Sequence, residues 1–425
     1  MGLFLIKDTF AHQNTTYMST IAPFQALRPD PKFASAVASK PYDVLSSHEA
    51  REEAADNPNS FLHITKAEID LPLNVDTHSQ EVYDKAKENL QSFIERGILI
   101  EEDKPCYYIY RLVMNGQSQT GLVCASSIDD YDKGIIKKHE LTRPDKEADR
   151  IRHMTTIRAQ TGNVFIAYKS VNAIDDLVEG WKRDHAPLYD FKADDGIEHT
   201  VWVVDDEGSI AAITGFFAAE VPCTYIADGH HRAASAAKVR KALGASASGA
   251  ANYFLTTLFP ADQLRIMDYN RLVHDLNGAS VEAFADSLQK EFLIGKVEKA
   301  FQPGALHEFG LYTGGSWYKL VAKEGSFTND PIGVLDVTIL QKNVLDKLLG
   351  IKDPRTDKRI DFVGGIRGLA ELERRVDSGE MKAAFSLYPV SIEQLFDIAD
   401  SGQVMPPKST WFEPKLRDGL LTHLI

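Results

Sequence analysis

"YIADGHHRAASAAKVRKALG", residues 225–244, decides how this chain is read. A short β-rich run from Tyr225 passes through Asp228 and Gly229 straight into an Ala-rich helix. A helix start leaves its first backbone N–H groups unpaired and carries partial positive charge, so it forms a seat for phosphate. Gly229 lets the backbone come close to a ligand, and Arg232 carries a planar fork matched to phosphate oxygens. His230 and His231 add donors, stronger ones when protonated. Asp228 is the odd member. A carboxylate repels a phosphate unless a cation such as Mg2+ lies between them, or unless the acid holds a hydroxyl instead. Helix capping would account for Asp228 alone, but not for an acid, two imidazoles and a guanidinium crowded into one turn. As a metal pair His230 and His231 are poorly placed, because adjacent helical residues point about 100° apart.

The surrounding chain is long enough to support two or three domains. It has 425 residues, 44% of them hydrophobic and 25% charged, an ordinary globular balance. No apolar run approaches the ~20 residues of a membrane helix. "MGLFLIKD" is too short and too soon charged for a secretory signal, and Ile6 stands where a myristoylation signal needs Ser or Thr. "HQNTTYMSTIAPFQALRP" reads as a loose lead-in, with Met18 an alternative start. Cys106, Cys124 and Cys223 are isolated, which indicates neither a zinc cluster nor a disulfide framework and fits a reducing cytoplasm. A net charge of −14 argues against nucleic acid as a partner, while leaving room for a small anion in a local basic pocket. The oligomeric state is open.

Periodicity predicts a helix after Ser46 or Ser47, another over Ser79–Arg96, and a hairpin in "CYYIYRLVMNGQSQTGLVCASSI". A loop and a charged helix follow in "DDYDKGIIKKHELTRPDKEADRIRHMTTIRAQTG". "NVFIAYK", "HTVWVVDD", "VPCTYIAD" and "ASASGAANYFLTTLFP" supply strands around the 233–243 helix. A further α/β domain begins after Asp268, with helices near 281–292, 335–349 and 366–378, and strands in "DFVGGI" and "MKAAFSLYPV". The fold class is mixed α/β, with a mixed sheet, in three parts: 1–130, 131–267 and 268–425.

Two more stretches carry chemistry. In "IIKKHELTRPDKEADRIRHM", His139–Glu140 lacks the second histidine of a zinc-protease motif, since Arg143 stands where it would be. The run reads either as a solvated charged helix or as a carboxylate, Glu140, set among cations: Lys137, Lys138, Arg143, Lys146, Arg150 and Arg152. In "GQVMPPKSTWFEPK", two prolines stiffen the approach to Lys408, Ser409 and Thr410, groups suited to a carboxylate or phosphate ligand. "DFVGGIRGL" (361–369) reads as a tight turn or an anion contact. "PYDVLSSHEA" places Asp43 where a cleft border is expected, while capping accounts for Ser46 and Glu49.

"IADGHHR" entering a helix resembles the signature of the ParB/sulfiredoxin-like nucleotide-binding fold, and most of all that of the free-serine kinases. "PYDVLSSHE", "TRPDKEADRIRHM", "IADGHHR" and "MPPKSTWFEPK" together resemble the DUF1015 family over nearly the whole chain. The likeness to the serine kinases is confined to motifs between about 135 and 415. It implies a ParB/sulfiredoxin-like core at 131–267 with additions on both sides, the C-terminal one giving a loop to the site. It also implies that Gly229, His230, His231 and Arg232 wrap nucleotide phosphates. Lys137 to Glu140 match a Lys-x-His-Glu stretch whose Glu is the catalytic base, and Lys408 to Thr410 match a terminal Ser-Pro-Lys-Thr-Thr loop. The spacing departs from those compact kinases: 87 residues lie between Glu140 and Asp228, so a segment around 160–220 must loop out.

The resulting expectation is a kinase using ATP or ADP with Mg2+ on a small hydroxyl metabolite, first free L-serine, in either direction. Glu140, Asp228 and His231 form the catalytic set, with Mg2+ at Asp228. His139, Arg143, Lys408, Ser409 and Thr410 face the substrate. The alternative is a nucleotide-binding switch without phosphoryl transfer, which has no use for Glu140. Sulfiredoxin-like chemistry needs a thiol at the turn, where this chain has histidine.

Overall fold

The computed structural model describes residues 18–244 and 248–425; residues 12–17 of the lead-in lie outside them, and the rest of it contains the strands Ile21–Ala22 and Ala26–Pro29. A nine-stranded mixed sheet runs in the order Ile136–Lys137, Thr224–Asp228, Val164–Tyr168, Tyr253–Pro260, Gln117–Ser127, Tyr107–Met114, Glu198–Val204, Tyr189–Lys192, with Ile21–Ala22 on Gln117–Ser127. Thr224–Asp228 pairs in parallel with Ile136–Lys137 and antiparallel with Val164–Tyr168. The sheet takes strands from both sides of residue 130. The segment around 160–220 does not loop out: it supplies Val164–Tyr168 inside the sheet, two strands at its far end, and the helices Asn172–Asp184 and Glu207–Glu220.

Alternation along Thr224–Asp228 shows how the layers form. Side chains on a strand point to opposite faces in turn. Ile226 packs beneath the helices with Val239, Ile213 and Phe217. Tyr225 and Ala227 face the other way, into a core shared with Phe165, Phe259, Phe309, Phe385 and Leu395. That second core joins the large sheet to a six-stranded one, ordered Phe292–Val297, Ser316–Ala322, Glu308–Thr313, Ala383–Leu387, Tyr269–Val273, Ile360–Gly364. All of its pairings are antiparallel, and helices accompany it through the C-terminal part.

The expected helices form at Ser47–Ala54, Gln80–Glu95, Pro144–Ile157, His230–Leu243, Val281–Leu288 and Gly368–Asp377. Ser46 and Glu49 close a reciprocal capping box. The helix expected at 335–349 is α-helical only over Asp336–Leu340 and continues as a π-helix over Gln341–Asp346. No helix among the described residues is long and apolar enough to cross a membrane.

The C-terminal tail crosses back to the first sheet's side. Trp411–Phe412 pairs with Ile266–Met267, and Thr422–Leu424 lies between Ala26–Pro29 and Ala159–Gln160. Arg417 anchors the passage through Asp195 and the His199 ring. This return holds residues 405–415 over the end of Thr224–Asp228.

Candidate functional site

A cleft of about 420 Å3 opens between the two sheets. One wall is the end of Thr224–Asp228 with Glu140 and Asp43; the other is Asp361 to Gly364, Arg367, Glu371 and Arg375. Tyr269, Lys408, Thr410, Trp411, Phe412 and Lys415 complete the lining. Glu140 reaches Asp228 because residues 136–137 run parallel to 224–225, which delivers 138–140 to the same sheet end as the Asp-Gly turn. Strand pairing, not sequence distance, makes the site.

The two central carboxylates are driven apart in acidity. Burial raises the pKa of Glu140, with the charge of Asp228 adding to it and Lys408 opposing. Burial also disfavours ionised Asp228, but Lys415 and Arg232 outweigh it, so its pKa falls well below the usual carboxylate range. Lys415 Nζ stands 3.2 Å from Asp228 Oδ2, and the Gly229 N–H donates to Oδ1 at 2.9 Å. A pair of acids tuned in opposite directions inside a cleft is the pattern of separated proton-transfer and charge-holding roles.

Gly229 takes φ +95°, and a Cβ there would stand 3.1 Å from the Arg232 guanidinium and 3.3 Å from Val164 Cα. The Arg232 side chain is therefore folded under the turn. It is 6% exposed, donates to the Asn163 carbonyl, and faces Asp43 and Asp228, each at 3.5 Å. Arg232 lies beneath the cleft and fixes the charge of Asp228 from behind. His230 is buried and accepts, at 3.4 Å, from the His139 backbone N–H. His231 Nε2 accepts from the Arg143 N–H at 3.0 Å, which ties down the loop after Glu140. None of Arg232, His230 and His231 lines the cleft.

Of the other expected residues, Glu140, Asp228, Lys408 and Thr410 line the cleft. Lys408 has φ +59°, and its ammonium lies 5.7 Å from the Tyr269 ring centre. Burial opposes its charge, yet Tyr269 and Glu140 raise its pKa overall. Thr410 Oγ1 meets His139 Nε2 at 3.5 Å. Ser409 is buried and donates to the Pro406 carbonyl at 2.6 Å, so its hydroxyl is spent on its own loop. Arg143 pairs with Asp145 at 2.7 Å on the exposed helix start. Arg150 stacks 3.9 Å over Tyr42, Lys138 3.8 Å over Tyr131, and Lys137 faces Asp400 at 4.0 Å, all outside the cleft. Lys146 is exposed on the charged helix.

Several lining groups carried no local signal. Trp411 lies against Gly364, where a Cβ would come within 2.7 Å of its ring, and meets Tyr269 edge-on at 5.0 Å. Lys415 sits 4.8 Å from the same indole. The "DFVGGIRGL" stretch thus serves as the second wall, its Gly365 packed on Asp268. Asp43, from "PYDVLSSHEA", does border the cleft.

The fold and site define a mixed α/β protein with an acid-rich, aromatic-walled cleft between two large sheets. The chain belongs to the DUF1015 family, described as a protein of unknown function, which matches residues 21–338. No curated protein gives a significant match. Among solved structures, a free serine kinase in complex with AMP is similar at 12% identity and TM-score 0.37, over 71% of this chain and 92% of that one. A mutant free serine kinase in complex with ADP is similar at 13% identity and TM-score 0.36, over 71% and 92%. A conserved hypothetical protein from Pyrococcus furiosus is similar at 15% identity and TM-score 0.36, over 71% and 94%.

Proposed function

We propose that this chain is a nucleotide-dependent kinase for a small hydroxyl-bearing metabolite, with free L-serine the first substrate to test. The observation that carries the reading is Glu140 and Asp228 sharing one cleft with oppositely shifted acidities, beside Lys408 and Lys415. We read residues 131–267 as a ParB/sulfiredoxin-like nucleotide-binding core, with 1–130 and 268–425 as additions and 405–415 as the site loop. Three free cysteines suit a cytoplasmic setting.

The lining fits a nucleotide only in a particular form. Five carboxylates (Asp43, Glu140, Asp228, Asp361, Glu371) face four cations (Arg367, Arg375, Lys408, Lys415), a set that repels a bare polyphosphate. Charge neutralisation by Mg2+ relieves that repulsion, and Asp228, held ionised, is the residue to face the cation. Trp411 and Tyr269 offer aromatic surface to a base. Glu140 orients the acceptor hydroxyl and takes its proton as the oxygen attacks the terminal phosphorus; the bond from that phosphorus to the nucleotide oxygen breaks. Lys408 neutralises charge spreading onto the transferred group.

The test is direct: incubate the full chain with serine, Mg2+ and either ATP or ADP, and assay O-phosphoserine. Turnover with either donor supports the reading. Nucleotide binding without turnover on any hydroxyl metabolite would replace it with the regulatory switch.

A further inference from the structure

We propose that His139, His230 and Glu140 form a transition-metal site, of the zinc class, beside the cleft floor. The histidine pair dismissed by local geometry was 230 with 231. The fold instead brings 230 against 139 from the neighbouring strand extension. One ligand atom from each of His139, Glu140 and His230 lies within 4.8 Å of the other two. The imidazole centres are 4.5 Å apart and the rings are edge-on. Both rings are enclosed, at 1% and 5% exposure. His139 Nδ1 is a buried nitrogen without a hydrogen-bond partner, and the contact from the His139 N–H to His230 Nε2 is long at 3.4 Å. Polar atoms left so poorly satisfied in an interior cost stability unless something binds there.

Chemistry selects the ion. A tetrahedral ion with ligands at ~2.1 Å sets its ligand atoms ~3.4 Å apart, so side-chain rotations of about an ångström close the set. Two neutral imidazoles and one carboxylate suit zinc-class ions, whereas Mg2+ prefers oxygen donors. Glu140 alone of the three lines the cleft, and Thr410 Oγ1 lies 3.5 Å from His139 Nε2. Lys408 is the competing cation, since its charge already favours ionised Glu140. A consequence for turnover rests on the kinase reading: a carboxylate ligating an ion cannot also accept the substrate's proton, so zinc-class ions inhibit while Mg2+ supports activity.

The experiment uses the full chain stripped with chelator and titrated with ZnCl2 by calorimetry, with CoCl2 absorption as a second readout. One ion per chain is expected, with visible Co2+ bands and no displacement by excess Mg2+. His139→Gln and Glu140→Gln each weaken Zn2+ affinity by about tenfold or more. Glu140→Gln decides the matter should His139→Gln fail to fold, as judged by circular dichroism. Absence of Zn2+ binding, or unchanged affinity in Glu140→Gln, overturns the site. The kinase reading fails separately: a chain that binds one Zn2+ yet never phosphorylates serine keeps the metal site and loses the kinase.

Discussion

At the residue scale, Glu140 and Asp228 line the same cleft and end on opposite sides of their ordinary acidity. Asp228 has Lys415 at 3.2 Å and Arg232 at 3.5 Å, whereas Glu140 has only Lys408 acting against its burial. Glu140→Gln should lower kcat for phosphoryl transfer by at least 100-fold, the scale of a lost general base, while nucleotide affinity by calorimetry stays within a few-fold. Because a base works ionised, activity falls as pH drops through the Glu140 pKa, which burial lifts above its ordinary 4.5. Lys408 holds that value down, so Lys408→Met moves the acid limb of the kcat profile to higher pH; an unmoved limb would detach Glu140 from the chemistry. The residue types were legible because an acid, imidazoles and cations stand in short runs. Their assignments were not, since the direction of Arg232 is set by Asn163 and Asp43, far away in sequence.

At the element scale, local pattern served helices better than strands. Capping boxes and 3.6-residue spacing are written within a dozen residues, and the Ser46–Glu49 box formed as read. Phe292–Val297 is an edge strand in which only Phe292 is fully buried, so it offered no alternation to find. Glu308–Thr313 packs Gly310 against Ser386 and the Phe301 carbonyl, a contact visible only after folding. Gly364 gives a sharp prediction. Alanine there places a methyl 2.7 Å from the Trp411 ring, so Gly364→Ala should cost about 1–3 kcal/mol by urea denaturation and weaken nucleotide binding by displacing the indole. A second concerns Asp336, at the start of its helix, 3% exposed, with Oδ2 unpartnered and burial pushing its pKa up to about 7. Between about 4 and 7 the folded chain keeps a proton that the unfolded chain releases, so stability declines as pH rises across that window. Asp336→Asn, which keeps the acceptor for the His307 N–H, should flatten that decline; an unchanged slope of urea stability against pH would refute it.

At the scale of the whole molecule, the cleft belongs to neither sheet alone. Glu140 and Asp228 come from one, Asp361 to Arg375 from the other, and Lys408 to Lys415 from a tail that returns to the N-terminal side. No local pattern could announce that convergence, because it depends on which strand ends share a face. The physical consequence is a coupling: a ligand spanning the cleft must stabilise both walls together. Nucleotide with Mg2+ at about 100 times its dissociation constant should add ~2.7 kcal/mol to the unfolding free energy. Hydrogen exchange locates that gain. Protection should rise at residues 225–232, 360–368 and 408–412 in the same titration, with one midpoint, since one ligand bridges all three. Lys415→Met removes a contact to Asp228 and to the Trp411 ring, and should lower protection in all three segments. Protection confined to 225–232 would mean that the ligand sits on the Asp-Gly turn alone and that the second wall takes no part.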